Sequence, residues 1–258
     1  QHANQTIVEA ISNSCNYFFY EVGYRLSLKD NGINSISQDN NQGDATNAYY
    51  SSELGLQKLS KYAQMFGLGT TSGMEIPEAD PQISDDSSVP SAIGQGTNNY
   101  TVSQINRYVT AVANRGTVYS LSLIDKTTDS NGKLIKDYTP EVVNQMDEIS
   151  SSTWDLVHNG MESMVKSSST FAGMDISMGG KTGTAQYSKI HADNVLFVGY
   201  APADSPEISI AVRIANGYAS TYAAEIGRDI TKVYFNPESA DELLQGYASS
   251  LGTAGAGD

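Results

Sequence analysis

The tetrapeptide Lys181-Thr182-Gly183-Thr184 contains residue types that can bind the end of an extended anionic ligand. The two threonine hydroxyls can donate hydrogen bonds to a carboxylate, and the Lys181 ammonium supplies positive potential beside it. Because Gly183 has no Cβ, a ligand backbone can approach closely there. An exposed strand edge can pair with such a ligand, and a backbone N–H can stabilise an oxyanion. The tetrapeptide alone also fits a polar strand entrance with a flexible glycine.

A second candidate is the triplet Ser14-Cys15-Asn16, near the start of a predicted helix. The Ser14 hydroxyl can relay a proton, and the Asn16 amide can hold a substrate carbonyl. A helix-entry cap explains the triplet more simply when it is taken alone. Cys15 is the only cysteine of the chain, and no histidine is placed to activate it. We therefore interpret Cys15 as a small packing residue.

Two further patterns are weaker candidates for a reactive site. Ser163-Met164-Val165-Lys166 has the Ser-x-x-Lys spacing of a serine nucleophile. In enzymes with that motif the serine precedes the Ser-x-Asn triplet, whereas here it follows by about 150 residues. We interpret it as a surface helix end. Gly94-Gln95-Gly96 predicts a turn, because no strand and helix surround it as in a dinucleotide-binding loop.

Composition excludes several classes of function. The 258 residues are enough for a sizeable core, and the net charge of -14 argues against a nucleic-acid or anionic-membrane partner. The three histidines, His2, His158 and His191, lie far apart, so neither a metal nor another cofactor is predicted. No apolar run reaches the roughly 18 residues of a membrane span. Because Gln1 is followed by polar residues and no initiator methionine or signal peptide is present, we expect a piece of a longer protein.

The elements that must position these residues follow from hydrophobic periodicity. Helical spacing predicts helices near 7–26, 56–66, 102–114, 152–165 and 222–234. We expect Asn4 to cap the first helix, with Glu9 in its first turns. Residues 30–53 are polar and turn-rich, which predicts a surface insertion, and residues 70–94 are predicted to be irregular.

After residue 170 the period changes to two. Strands are predicted near 176–187, 195–200 and 208–214, and the short connection between the last two predicts an antiparallel hairpin. The sequence thus predicts an α+β fold in one partial domain. A mainly helical lobe spans 1–170, strands and a C-terminal helix span 171–236, and a flexible tail spans 237–258.

Several blocks, in the same order as in a known family, resemble the transpeptidase domain of class B penicillin-binding proteins. They lie at residues 11–19 (SCN-x-x-F), 62–78 (FGFG and TGI-x-LP-x-E), 92–116 (AIGQG, TPLQ and ANGG), 180–186 (GKTGTAQ) and 197–202 (F-x-G-Y-AP). The resemblance implies a fold like that of penicillin-binding proteins and serine β-lactamases. An antiparallel sheet of five strands is flanked by helices, an all-helical lobe lies beside it, and the active site lies between them.

The resemblance also implies roles for individual residues. Ser14 would assist proton transfer, Asn16 would bind the acyl side chain, and Lys181 would supply positive potential. Thr182 and Thr184, around Gly183, would hold the carboxylate of a terminal D-alanine or of a β-lactam. The implied reaction cross-links peptidoglycan stem peptides ending in D-Ala-D-Ala through a serine ester. The implied setting is the extracytoplasmic face of a membrane, with a membrane-anchored parent, a lipid-linked glycan polymerase as partner and no cofactor.

Two departures from the family pattern stand out. The family's Ser-x-x-Lys lies about 50 residues before the Ser-x-Asn triplet, but the chain begins 13 residues before Ser14. We therefore expect the nucleophile, together with the front strands and first helices, in an N-terminal part of the same protein, and this chain alone to be inactive. The insertion at 30–53 is longer than expected. A non-catalytic β-lactam- or peptide-binding module, a β-lactamase relative and a plain α+β scaffold remain alternatives.

Overall fold

The computed structural model describes residues 4–29, 49–186, 190–239 and 243. Their helices are α1 (Ile7–Ser12), α2 (Asn16–Leu26), α3 (Ser52–Met65), α4 (Ser88–Ser91), α5 (Val102–Ala113), α6 (Ser151–Ser167) and α7 (Ser220–Phe235). Their strands are β1 (Thr117–Ser120), β2 (Lys126–Thr128), β3 (Leu134–Asp137), β4 (Glu141–Gln145), β5 (Gly179–Ala185), β6 (Asn194–Ala201) and β7 (Ile208–Ile214). Short 3₁₀ turns lie at Ser169–Phe171 and Pro237–Ser239.

Strands β5, β6 and β7 form an antiparallel sheet in that order. The predicted hairpin of β6 and β7 is confirmed, and β5 contains the tetrapeptide at residues 181–184. In the described part of the chain, β5 and β7 each pair on one side, so β5 presents an open edge.

Helix α7 covers one face of this sheet. Phe197 of β6 is fully buried against it, and a Cβ added at Gly227 of α7 would collide with the Phe197 ring. This close approach of helix and strand explains a glycine in the middle of a helix, where glycine otherwise costs stability. The surrounding core contains Met164, Val165, Phe171, Met178, Val195, Ala201, Ile210, Ala223 and Ala224.

Helix α5 lies against the other face. The hydroxyls of Thr110 on α5 and Ser209 on β7 are 2.7 Å apart. Tyr200 of β6 is buried on this side, and its ring packs 5.2 Å from the ring of His158 on α6. The His158 Nε2 is 2.7 Å from the Val112 carbonyl oxygen of α5. The sheet therefore lies between α7 and a helical layer, which confirms the predicted α+β fold.

The predicted cap of the first helix is wrong. Thr6 caps α1 in a capping box, in which its hydroxyl accepts from the Glu9 amide and the Glu9 carboxylate accepts from the Thr6 amide. Asn4 has φ of 58°, in the left-handed region, whereas an N-cap residue is extended, as Thr6 is at φ −70° and ψ 165°. The Thr-x-x-Glu spacing was the sequence signal for this cap.

The prediction of a mainly helical segment up to residue 170 is wrong between β1 and β4. Strands β1 and β4 form one two-stranded sheet, and β2 and β3 form another. Turn chemistry explains the second pair, because the Asp129 carboxylate accepts from the amides of Asn131 and Lys133 and Gly132 adopts φ of 81°. The predicted irregular segment 70–94 is interrupted by α4.

The predicted insertion at 30–53 is shorter at its C-terminal end. Residues 30–48 lie outside the described residues, but Leu28 and Tyr50 form an antiparallel bridge and α3 begins at Ser52. The Lys29 amide donates to the Tyr49 carbonyl at 2.9 Å, so the chain returns to the point from which it departs. In the predicted tail, Pro237–Ser239 form a 3₁₀ turn, and residues after 239 other than 243 lie outside the described part.

Candidate active site

The junction of α1 and α2 fixes the position of Ser14. The Cys15 amide donates to the Ala10 carbonyl at 2.9 Å, and the Ser14 amide donates to the Ile11 carbonyl at 3.3 Å. These two bonds form the Schellman motif that ends α1, and its left-handed position is Ser14, with φ of 52°. Glycine is the usual residue at that position, so a serine there carries backbone strain. The exposed Ser14 side chain is thereby held at a sharp turn.

Cys15 and Asn16 follow at the start of α2. Cys15 is buried and occupies the N-cap position without a side-chain cap bond. The interpretation of Cys15 as a packing residue is confirmed by this burial. Asn16 is the first residue of α2 and is exposed, two residues after Ser14. The triplet therefore does not form the side-chain cap that a helix entry would predict.

Lys181 meets Ser14 across 167 residues of sequence. The Lys181 ammonium donates to the Ser14 hydroxyl and, at 2.8 Å, to the carbonyl of Thr182. Burial lowers the pKa of Lys181, because a low-dielectric environment disfavours its charged form. The structure thus joins two of the predicted site residues, from a helix junction and from a strand, in one hydrogen-bonded pair.

Helix α6 fixes the spacing of this pair. A Cβ added at Gly160 of α6 would lie 2.8 Å from the Ile11 Cβ, so the glycine lets α1 approach closely. One turn and a half further along α6, Val165 packs against Gly180 of β5. The contacts of α1 with α6, and of α6 with β5, therefore set the distance between Ser14 and Lys181.

The remaining residues of the tetrapeptide lie on the open edge strand. Side chains alternate along a strand, so Thr182 and Thr184 share the face opposite to Lys181. A Cβ at Gly183 would make only ordinary contacts with Leu196, the nearest atom being 3.7 Å away. Crowding within the described chain does not require this glycine, in contrast to Gly179, where a Cβ would collide with the Tyr200 ring. Gly183 therefore leaves the strand edge open to the approach of a ligand.

The Ser-x-x-Lys pattern at residues 163–166 does not have the contacts of a nucleophile pair among the described residues. Lys166 donates to the Glu162 carboxylate at 2.8 Å, one turn back on α6, and its side chain is exposed. Met164 and Val165 between the serine and the lysine belong to the core. The interpretation of 163–166 as a helix end is confirmed, since α6 ends at Ser167.

The Gly94-Gln95-Gly96 turn is also structural. Both glycines have positive φ, 83° and 81°. A Cβ at Gly96 would collide with the Ser84 hydroxyl, which accepts from Ser91 at 2.7 Å. The turn prediction is confirmed, and the glycines are explained by backbone conformation and close packing.

The sequence analysis placed Glu78 in a family block but gave it no role, and the structure shows that it joins the irregular segment to α5. Its carboxylate accepts from the Ser72 amide at 2.5 Å and from the hydroxyls of Thr101 and Ser103. Burial opposes ionisation, but the bonds from Ser103, Thr101 and Ser72 outweigh it and lower the pKa of Glu78 to about 2. The buried Arg107 assists from α5 by donating to the carbonyls of Thr70 and Thr71, both at 2.8 Å.

The described residues contain neither a metal-binding cluster nor a membrane-spanning helix. No group of three or more metal-ligating side chains is close enough to hold an ion in residues 4–29, 49–186 and 190–239. Within the same ranges, no helix combines the length and the apolar character that crossing a membrane requires.

Comparisons with known proteins agree with this geometry. Penicillin-binding protein 2B of Streptococcus pneumoniae is 29% identical over 208 residues, covering 70% of this chain and 30% of that relative. The solved structure of that protein from strain R6 superposes with a TM-score of 0.70 at 24% identity, over 93% of this chain and 40% of that one. The peptidoglycan D,D-transpeptidase MrdA of Haemophilus influenzae is 23% identical over 273 residues, covering 91% of this chain and 37% of the relative.

A third relative is penicillin-binding protein A of Mycobacterium tuberculosis, solved as an imipenem acyl-enzyme complex. It shares the fold with a TM-score of 0.66 at 20% identity, over 88% of this chain and 47% of that one. The chain thus spans about a third of the length of the curated relatives named above. The family model described as the penicillin binding protein transpeptidase domain matches residues 1–232. The chain therefore belongs to the family of penicillin-binding protein transpeptidase domains, as its sequence motifs predicted.

Proposed function

We propose that residues 1–258 form the substrate-binding side of a serine-type peptidoglycan D,D-transpeptidase. The nucleophilic serine and its lysine lie in an N-terminal part of the same protein, and this chain alone is inactive. The observation that carries the proposal is the contact between the Lys181 ammonium and the Ser14 hydroxyl, beside an open strand edge. The names of two relatives support it, one a peptidoglycan D,D-transpeptidase and the other an imipenem acyl-enzyme.

The residues of this chain have separate roles in the proposed reaction. Thr182 and Thr184 hold the terminal carboxylate of the stem peptide, and the peptide backbone pairs with the free edge of β5 past Gly183. Asn16 holds the acyl side chain from the start of α2. The positive charge of Lys181 attracts the carboxylate and polarises the Ser14 hydroxyl that it contacts.

The proposed chemistry is an acyl transfer in two steps. The serine oxygen bonds to the carbonyl of the penultimate D-alanine, and the bond to the terminal D-alanine nitrogen breaks. The proton lost by the serine reaches the leaving nitrogen through Ser14, whose hydroxyl can accept and donate at once. An amine of a neighbouring stem peptide then attacks the ester carbonyl and forms the cross-linking amide, while the bond to the serine oxygen breaks and the proton of the amine returns to that oxygen. β-Lactams acylate the same serine. The cross-linking reaction takes place on the extracytoplasmic face of a membrane, beside a lipid-linked glycan polymerase.

The test uses the complete protein that carries this chain. Lys181→Ala is expected to slow acylation by labelled penicillin about 100-fold, the scale of losing one proton-transfer or anion-stabilising group. Lys166→Ala, which removes an exposed lysine on α6, is the matched control and is expected to react normally. Transfer of the acyl group to an added amine identifies a transpeptidase. Release to water alone would indicate a β-lactamase, and a stable adduct without either would indicate a sensor.

A further inference from the structure

Strands β2 and β3 form a two-stranded ribbon outside the hydrophobic core of the described residues. Every residue of β3 is exposed, including Leu134 at 51% and Ile135 at 68%. The core clusters of the described chain contain no residue of either strand. A two-stranded ribbon is marginally stable in water unless a further strand or a packed face supports it. The exposed aliphatic side chains of β3 are therefore a surface that a neighbouring chain could cover.

The base of the ribbon is fixed to the rest of the molecule. The Glu75 carboxylate accepts from the Ser122 hydroxyl at 2.6 Å and from the Leu123 amide at 2.9 Å. At the first rung, the Tyr138 amide donates to the Asp125 carbonyl at 3.0 Å. These bonds give the outer edge of β3 a defined position on the surface.

The outer edge of β3 is open, and Ile135 lies on it. Among the described residues, β3 pairs with β2 on one side only. Leu134 and Lys136 are opposite consecutive residues of β2. Ile135, between them, is therefore a bulged residue without a partner in β2. An open edge with an exposed aliphatic residue is a template for pairing with a strand of another chain.

The charges along this edge complement those of a second copy of the chain. Antiparallel pairing about a two-fold axis at Ile135 places Ile135 opposite itself and Lys133 opposite Asp137 of the second copy, twice. An axis at Lys136 would instead place two lysines opposite each other, which is destabilising. Residues 126–137 contain three lysines and two aspartates, whereas the whole chain has a net charge of -14. Two copies can therefore meet at the ribbon without the repulsion that the average surface would cause.

We propose that β3 is the interface through which two copies of this protein associate, by antiparallel pairing of residues 133–137 around Ile135. The proposal does not depend on the reaction that the protein catalyses. Pairing over so few residues buries less than the roughly 1,200 Å² of a stable complex, so the association is weak. It is favoured where the chains are concentrated.

The test is disulfide cross-linking of the complete protein at Ile135→Cys under a mild oxidant, with any cysteine outside residues 1–258 replaced by serine. Cys15 is buried and stays. Residues opposite each other in an antiparallel pair have Cα atoms about 4.5–5.5 Å apart, within reach of a disulfide. The matched control is Ser130→Cys, which is also exposed but lies more than about 20 Å from its copy in this pairing. Ile135→Cys is expected to give about tenfold more linked dimer than Ser130→Cys.

Charge reversal in the Ile135→Cys protein tests the register of the pairing. Lys133→Glu alone and Asp137→Lys alone each place like charges opposite each other, and each is expected to lower the dimer yield about threefold to tenfold. The two substitutions together exchange the charges and are expected to restore the yield. The rate of thiol alkylation by iodoacetamide, measured for each variant, corrects the yields for changes in thiol reactivity.

Three outcomes would overturn the proposal. Equal yields from Ile135→Cys and Ser130→Cys would show that chance collisions explain both links. A double charge reversal that links as poorly as the single variants would exclude this register. A link from Ile135→Cys to a different protein in intact membranes, with no link between copies, would show that another strand occupies the edge.

Discussion

Two substitutions of Ser14 separate the effect of its backbone conformation on stability from the effect of its hydroxyl on acylation. Both Ser14→Gly and Ser14→Ala remove the oxygen that contacts Lys181. Only glycine adopts the observed φ of 52° without steric cost. Alanine at a left-handed position destabilises by roughly 1 kcal/mol relative to glycine, as the steric cost outweighs the greater chain entropy of glycine in the unfolded state. We therefore expect Ser14→Gly to be more stable than Ser14→Ala by about 1 kcal/mol, which is about 2–4 °C in thermal midpoint for a chain of this size.

The assay is equilibrium unfolding of residues 1–258 in urea, with the thermal midpoint as a second measurement. Ser12→Ala, two residues earlier on α1, is the control for losing a serine hydroxyl without a left-handed backbone. In the complete protein, Ser14→Gly and Ser14→Ala are expected to lose acylation equally, since both lack the hydroxyl. The reasoning would be refuted if Ser14→Gly were no more stable than Ser14→Ala, or if either variant kept the full acylation rate.

Three other perturbations have defined outcomes. Glu78→Gln is expected to lower the free energy of unfolding by about 1–2 kcal/mol at pH 7, after allowance for solvent screening. Because folding lowers the pKa of Glu78 from 4.5 to about 2, its stabilisation is present above pH 4.5 and is lost as the pH falls toward 2. The urea midpoints of variant and parent should therefore converge at low pH. Replacing residues 30–48 by a flexible linker of Gly and Ser is expected to keep the thermal midpoint within about 2 °C of the parent, because the bridge between Leu28 and Tyr50 holds the two ends together and the closure entropy of a loop changes slowly with its length. A clear drop in the midpoint would contradict this. Gly179→Ala should lower the free energy of unfolding by about 1–3 kcal/mol, because the added methyl group clashes with Tyr200. Gly183→Ala should keep the stability of the parent but slow penicillin acylation. Equal unfolding midpoints of the two variants would argue against this division of roles.

The sequence predicted the parts of the fold that repeat a clear period. The alternation of Ile208, Ile210, Val212 and Ile214 identified β7, and the spacing of apolar side chains by three and four residues from Val102 to Val112 identified α5. It failed at β2 and β3, which are only three and four residues long and have exposed side chains throughout β3. Strands so short and so exposed have no buried face, and therefore no hydrophobic alternation that a sequence can reveal.

The two residues that meet in the candidate site were named from the sequence, but the contact between them could not be predicted from it. Lys181 and Ser14 were identified separately, and their meeting depends on how closely α1 packs on α6 at Gly160, a contact between distant segments. The role of Glu78 was not predicted, because its partners Thr101 and Ser103 lie more than 20 residues away in the sequence.

The central claim is that residues 1–258 bind the ligand and that the serine that reacts with it lies in another part of the protein. The most direct measurement is a peptide map, by mass spectrometry, of the complete protein after reaction with labelled penicillin. The account predicts a single acylated serine that precedes residue 1, and no adduct when residues 1–258 are treated alone. An adduct on Ser163, or on any other residue of this chain, would contradict it.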